Sequence, residues 1–350
     1  MEPYRKLHFI QRVTADYRIE LFASLQGIAD RNNTSLSVYY SRGRKGEQNQ
    51  LTRDKASFLR KVKIRYVKLK STFFYWQSLP FFSFRNGVVF HNEAKRSVSL
   101  YLLVILKPLL NYKLVLYGNN RGGSAFLTWI LNRSDAYGAY TKFALNDINS
   151  NVYKSVWNNT HLSKTDWLES TDKVAHDKKR CLLVARIQTN KRIHEFFEVV
   201  DFVRSNSSDS LTVRIVGHAD PKTQNFIKSK LVPGDAYIDS VKFGNRLIHY
   251  DWADFVLMPG GIGLHALDSL ARKTPVFTYE NESHGVEMAY LYEQSPLTIF
   301  NSLEELKFGC KEFVENSDYN DKVMNDIINN HSPVTIEDMA ENIWKLIQGL

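Results

Sequence analysis

The segment Asp251 to Asn281, DWADFVLMPGGIGLHALDSLARKTPVFTYEN, narrows most sharply what this chain can fold into. Phe255 to Met258 is a short apolar run bounded by Asp254 and by Pro259-Gly260-Gly261. From Ile262 to Lys273 apolar residues recur at helical spacing, and Pro275 to Thr278 is again apolar and β-prone. The pattern predicts strand, glycine turn, helix, strand, which is a βαβ unit. In a parallel sheet, ligands bind at the turn after a strand's carboxyl end. Gly260, Gly261 and Gly263 would leave backbone N–H groups uncovered where a helix begins, and the positive end of that helix favours a phosphate or diphosphate. Asp268, two turns into the expected helix, could accept hydrogen bonds from sugar hydroxyls. Alone, a glycine-rich βα turn serves tight packing as readily as anion binding.

The rest of the chain repeats this alternation. Strands are expected at Lys6 to Val13, Ser35 to Tyr40, Ile64 to Leu69, Val88 to His91, Lys113 to Tyr117, Asp135 to Tyr140 and Lys154 to Trp157. Helices are expected at Tyr17 to Ala29, Ser97 to Leu106 and Ser124 to Leu131. The stretch His161 to Lys179 is polar without a clear period and reads as a linker. A second series follows, with strands at Cys181 to Ala185, Leu211 to Val216 and Tyr237 to Val241, and helices at Arg192 to Val203, Pro221 to Leu231 and Asn245 to Trp252. Two parallel-sheet α/β domains in tandem are the economical reading, over residues 1–170 and 171–334. A closing helix within 335–350 is expected to pack back on the first domain.

Bulk properties exclude some classes. A hydrophobic fraction of 43% with 24% charged residues fits a globular protein and not a disordered one. Cys181 and Cys310 give neither a disulfide framework nor metal-ligand spacing. The opening MEPYRKLHFIQRV lacks an apolar core of signal-peptide length, and Val98 to Tyr117 is broken by Lys107, Pro108 and Lys113, so a cytoplasmic protein without a membrane span is expected. The formal charge of +9 is concentrated between Arg42 and Lys70, directly before the aromatic run Phe73 to Phe84. Such a pairing suits an anionic bilayer surface, at about 1 kcal/mol per basic residue near the headgroups. It also suits single-stranded nucleic acid, or a solvated loop beside a core aromatic cluster.

In the second half each polar group of interest falls just past a strand's end: Arg186 and Lys191, Gly217, the Gly260 to Gly263 turn, and His284 to Glu287. Parallel strands bring those ends to one edge. Two cations facing a helix start make a diphosphate site through charge-assisted hydrogen bonds. His91, His218 and Asn119 are expected on the corresponding edges, and His265 on a packed helix flank.

These segments carry a resemblance. VARIQTNKRIHEF, LTVRIVG, HYDWADFVLMPGGIGLHALDSLARKTPVFTYEN and HGVEMAYL resemble the donor half of family-4 retaining glycosyltransferases of the GT-B type. YRIELFASL, LVLYGNNRGG and SDAYGAYTKFALNDINSNVYKSVWNNT are similar to the acceptor half of bacterial polysaccharide-forming members. The resemblance implies two Rossmann-like domains facing an interdomain cleft, an acceptor side in 1–170 and a donor side in 171–334. It further implies transfer from a nucleotide diphosphate sugar, UDP- or GDP-linked, to a glycan or lipid-linked glycan with retained configuration, on a protein touching the inner membrane face.

Carried over, Arg186 and Lys191 would steady the departing nucleotide, Asp268 would hold its ribose, and the backbone from Gly261 through Ile262 and Gly263 to Leu264 would approach the phosphates. Gly217 and His284 would border the donor, and Glu287 would lie beneath its sugar. Each fixed donor aimed at the β-phosphate oxygen is worth roughly 2.7–4 kcal/mol by analogy with an oxyanion-hole group. No D-x-D pair occurs, so neither a metal nor another cofactor is expected. Two departures stand out: Gly260 replaces the first glutamate of the family's E-x7-E motif, and Asn119 occupies the place of its acceptor-side histidine. Both leave room for an accessory subunit without catalysis. Nucleic acid is the least favoured partner.

Overall fold

The computed structural model describes residues 4–43, 56–70, 72–119, 125–146, 148, 151–168, 178–208, 211–239 and 245–350. Asn120 to Gly123 of LVLYGNNRGG, Ser124 at the start of the helix expected there, the basic positions Arg44, Lys45, Arg53 and Lys55, and Val241 lie outside them. The chain forms two compact units, Met1–His161 with Val334–Leu350, and Leu162–Pro333.

The first unit is built on a seven-stranded parallel sheet. Its strands are β1 (Lys6–Ile10), β2 (Ser35–Tyr40), β3 (Leu59–Lys61), β6 (Val88–Asn92), β7 (Lys113–Gly118), β8 (Ala136–Ala139) and β9 (Tyr153–Val156); between β3 and β6 come β4 (Ile64–Leu69) and β5 (Thr72–Gln77). The sheet order is β3-β2-β1-β6-β7-β8-β9, so the direction of winding reverses between β1 and β6. Leu7 and Phe9 of β1 are buried, and Phe9 stacks on Phe90 of β6 with ring centroids 4.1 Å apart. Helix Ile19–Arg31 buries Leu21, Phe22, Leu25 and Ile28, spaced to form one face. Helix Ile336–Gln348, capped by Thr335, adds Ile336, Met339, Ala340, Ile343 and Trp344 to the same core cluster.

The strand expected at Ile64 to Leu69 forms, but it pairs antiparallel with β5 in a hairpin outside the main sheet. The aromatic run supplies the partner strand because its side chains alternate: Tyr75 is buried and Trp76 is exposed. Helix Val98–Leu110 runs past the expected end at Leu106 and contains Pro108. Its continuation ends at Asn111, in the left-handed conformation.

The second unit holds a six-stranded parallel sheet of β10 (Lys179–Val184), β11 (Leu211–Val216), β12 (Ala236–Ile238), β13 (Phe255–Leu257), β14 (Val276–Tyr279) and β15 (Ile299–Phe300). Its order is β12-β11-β10-β13-β14-β15, and the winding reverses between β10 and β13. Such reversals open a crevice at the strands' carboxyl ends. Within the opening βαβ unit, the helix spans His265–Ala271, not Ile262 to Lys273. Its late start has a local cause. The Gly261 amide donates to Ser283 Oγ at 2.9 Å, the Ile262 amide to His284 Nδ1 at 3.2 Å, and the Ile262 carbonyl accepts from the Gly285 amide at 2.9 Å. With its carbonyl taken by Gly285, Ile262 does not accept from the Ala266 amide, which donates to the Gly263 carbonyl instead, and Lys273, at φ +48°, lies past the helix's other end. Asp268 therefore sits in the helix's first turn.

Candidate functional site

Strands β10 and β13 pair directly, Cys181 with Phe255 and Leu182 with Val256, so the loops that leave them share one end of the second sheet. The two loops touch. A Cβ on Gly260 would lie 2.3 Å from the Asn190 carbonyl oxygen and 2.9 Å from the Lys191 carbonyl carbon. Only a residue without a side chain fits there. Lys191 Nζ donates a hydrogen bond to the Gly261 carbonyl. Burial pushes its pKa down to about 8, while the Glu287 carboxylate acts in the opposite sense.

A third loop braces this pair. Asn281 Nδ2 donates to the Pro259 carbonyl at 2.9 Å and to the Tyr279 carbonyl at 2.8 Å, and its Oδ1 accepts from the Ser283 amide at 3.1 Å. His284 Nε2 lies 2.7 Å from the Tyr279 carbonyl oxygen and 3.0 Å from Asn281 Nδ2. Burial lowers the His284 pKa. With Nδ1 accepting from the Ile262 amide, the ring is a bracket for the glycine turn in its neutral form. Glu287 is buried just before helix Met288–Gln294.

The second sheet thus gathers Lys191, Gly260, Gly261, Ile262, His284 and Glu287. The uncovered amides expected along the turn are fewer than its glycines suggest, since those of Gly261 and Ile262 are spoken for. Those of Gly263 and Leu264 meet no acceptor among the described residues. Arg186 lies on the exposed loop after β10. Gly217, at φ +138°, follows β11 and packs so closely that a Cβ would fall 1.7 Å from the Ala185 carbonyl oxygen. His218 beside it pairs with Asp239, Nδ1 to Oδ1 at 3.1 Å.

Asp268 has a protein partner. Its side chain is 6% exposed, and Oδ1 accepts from Arg246 Nε at 2.8 Å. Sequence reasoning missed Arg246, which precedes helix Leu247–Trp252 and carries no local signal of this pairing. It also missed Asn281 and Ser283, although Asn-x-Ser after a strand is a recognisable side-chain-to-backbone turn.

On the first unit, His91 is buried at the end of β6, with Nδ1 2.5 Å from the Asn92 carbonyl oxygen and Nε2 3.1 Å from Ser97 Oγ. Burial lowers its pKa to about 4, so it is neutral across the physiological range. Asn119 follows β7, and its Oδ1 is buried with no hydrogen-bond partner among the described residues.

The depressed Lys191 pKa sets a pH dependence. The charged form, which an anion requires, is lost as pH rises through about 8. Affinity for an anionic probe such as sulfate, measured by calorimetry, is expected to fall about ten-fold between about pH 7 and pH 9. The Lys191→Arg variant, charged throughout, should hold its affinity level over that range.

No protein-family model matches the chain, and no curated protein is significantly similar to it in sequence. Solved structures are similar in shape. A glycosyltransferase from Rickettsia africae superimposes with a TM-score of 0.68 at 11% identity, over 100% of this chain and 99% of that one. HepE of Anabaena, in complex with UDP and glucose, gives 0.63 at 11% identity over 99% and 100%. The lipopolysaccharide outer core galactosyltransferase WaaB gives 0.64 at 10% identity over 97% and 99%. The fold is GT-B. At such identities the likeness extends to architecture and not to individual side chains. Among the described residues, no helix is long and apolar enough to cross a membrane.

Proposed function

We propose that the chain is a glycosyltransferase of the family-4 retaining kind. It moves a hexose from a UDP- or GDP-linked donor to a hydroxyl of a glycan or lipid-linked glycan, without a metal. The observation that carries this reading is the Lys191 ammonium, half-buried against the Gly261 carbonyl and beside Glu287, where the winding of the second sheet reverses. As the anomeric C–O bond breaks, charge builds on the β-phosphate oxygen. Lys191 compensates that charge from a partly desolvated position, and Arg186 adds a second cation from the solvent side. The amides of Gly263 and Leu264, which meet no acceptor among the described residues, add two neutral donors. Glu287 faces the sugar, and Asp268, anchored by Arg246, borders the nucleotide. The UDP complex of HepE supports the choice of donor class.

The exposed hairpin of the first unit supports a peripheral place at an anionic membrane. Val67, Leu69 and Trp76 are exposed on it beside Lys63, Arg65, Lys68 and Lys70, and Phe82, just beyond, is 84% exposed. The decisive experiment is a thermal-shift screen against UDP-, GDP-, dTDP- and CMP-linked sugars, followed by mass spectrometry of products formed with the donor that binds. Stabilisation by one nucleotide sugar with a new glycosidic product is the expected result, since a ligand that binds only the folded state raises the melting temperature.

Gly260 and the internally bonded amides of Gly261 and Ile262 favour a second reading, an accessory subunit that binds nucleotide sugar without transferring it. Binding with no product from any acceptor would select that reading. No shift with any nucleotide sugar would remove both.

A further inference from the structure

The first sheet has its own reversal of winding, between β1 and β6, and a cavity of about 210 Å³ opens there. It is lined by polar groups that include Arg12, Arg18, Asn92, Tyr117 and Tyr140, and among the described residues no acidic one lines it. Arg18 is 8% exposed. Its Nη2 donates to Asn159 Oδ1 at 2.6 Å, its Nη1 lies 3.9 Å from Met339 Sδ, and the rings of Tyr17 and Tyr140 face the guanidinium at 5.3 and 5.5 Å. All four partners are uncharged. Among the described residues no carboxylate pairs with Arg18.

A buried guanidinium without a counter-charge is costly to keep, and neutral residues of similar size would pack as well. Its place beside an open polar cavity has a physical purpose if an anion completes the site. Guanidinium matches a planar carboxylate or a phosphate through paired N–H donors. Asn92 Oδ1, buried with no partner among the described residues, supplies an acceptor for a hydroxyl next to that anion.

We propose that this cavity binds an anionic polyol, a carboxylate- or phosphate-bearing sugar or glycerol unit, with the anion on Arg18 and Arg12 and a hydroxyl on Asn92. Resting on the glycosyl-transfer reading, this unit is the acceptor, so the enzyme extends an acidic glycan or a phosphate-containing one. A uronate would present its carboxylate, and a lipid-linked or polyol-phosphate acceptor its phosphate.

The test titrates the intact chain with methyl β-glucuronide, sn-glycerol 3-phosphate and neutral methyl β-glucoside by ligand-observed NMR, with UDP affinity measured in parallel. One of the two anions is expected to bind at least about ten-fold more tightly than the glucoside, and which one identifies the source of the charge. Arg18→Gln should remove that preference and leave UDP affinity unchanged, while Arg18→Lys retains part of it. Arg12→Gln, at a partly exposed position, gives the same reading should Arg18→Gln fail to fold, and should weaken the anion about three-fold or more. Equal binding of all three probes, or an anion affinity that survives Arg12→Gln together with a folded Arg18→Gln, overturns the inference. Transfer to neutral acceptors with no anion preference would defeat the inference alone. Anion binding without transfer from any nucleotide sugar would defeat the glycosyl-transfer reading alone.

Discussion

Replacing Lys191 with alanine is expected to slow sugar transfer by about 10²–10³-fold, the range found when one preorganised donor to a developing oxyanion is removed. Lys191 Nζ is held by the Gly261 carbonyl and acted on by Glu287, so its position is set before any donor arrives. That preorganisation is what makes a single side chain worth so much. The loss should fall mainly on kcat, because the charge it stabilises appears fully only as the bond breaks. Removing Arg186 as well should abolish measurable transfer. Lys191→Arg should keep more activity than the alanine variant, since it retains the charge while altering its shape. Initial rates and UDP calorimetry on the same preparations make the comparison, and wild-type turnover in the double alanine variant would end the proposed mechanism.

Placing at position 260 the glutamate that family-4 glycosyltransferases carry in their E-x7-E motif is expected to damage the site and not to improve it. Any Cβ there lies 2.3 Å from the Asn190 carbonyl oxygen, which is backbone and cannot rotate away. Accommodating it must push apart the loops after β10 and β13, with a stability cost of about 1–3 kcal/mol, as for overpacking elsewhere. Those are the loops that place Lys191 against Gly261, so the Gly260→Glu variant should melt at a lower temperature and also lose UDP affinity. Gly260→Ala separates the causes, because it adds the clash without the carboxylate and should show most of the same damage. A Gly260→Glu variant that melts normally and transfers faster would mean that the loop has a second conformation open to it.

The architecture was legible because its signal is periodic and repeated. Strands such as Leu211 to Val216 and Phe255 to Leu257, each soon followed by glycine or proline and then by a helical pattern, alternate with helices in the way that βαβ units and a parallel sheet require. The hairpin of β4 and β5 was half legible. Ile64 to Leu69 reads as a strand, but nothing within it says that it pairs antiparallel with aromatic residues after the turn.

The site was legible as an edge and much less so as a set of contacts. Strand ends placed Lys191, Gly260 and His284 on one side of a sheet by topology alone. That Ser283 and His284 take the amides of Gly261 and Ile262 depends on loops 22 residues apart in sequence, and so does the pairing of Arg246 with Asp268. Single-sequence patterns report local periodicity, and a bond between distant irregular segments leaves no trace in them. Arg18 was hidden for another reason. In YRIELFASL it looks like one more surface cation at a helix start, and only its burial against Asn159 and Met339 distinguishes it.

The helix Ile336–Gln348 lends its apolar face to the core of the first unit, although the whole of the second is encoded before it. During synthesis the earlier lobe must therefore wait, with Leu21, Phe22 and Leu25 incompletely covered, while its neighbour can already have condensed. A nascent protein of this plan matures in reverse of the order in which it is translated, and a frameshift near codon 335 would harm the portion made first.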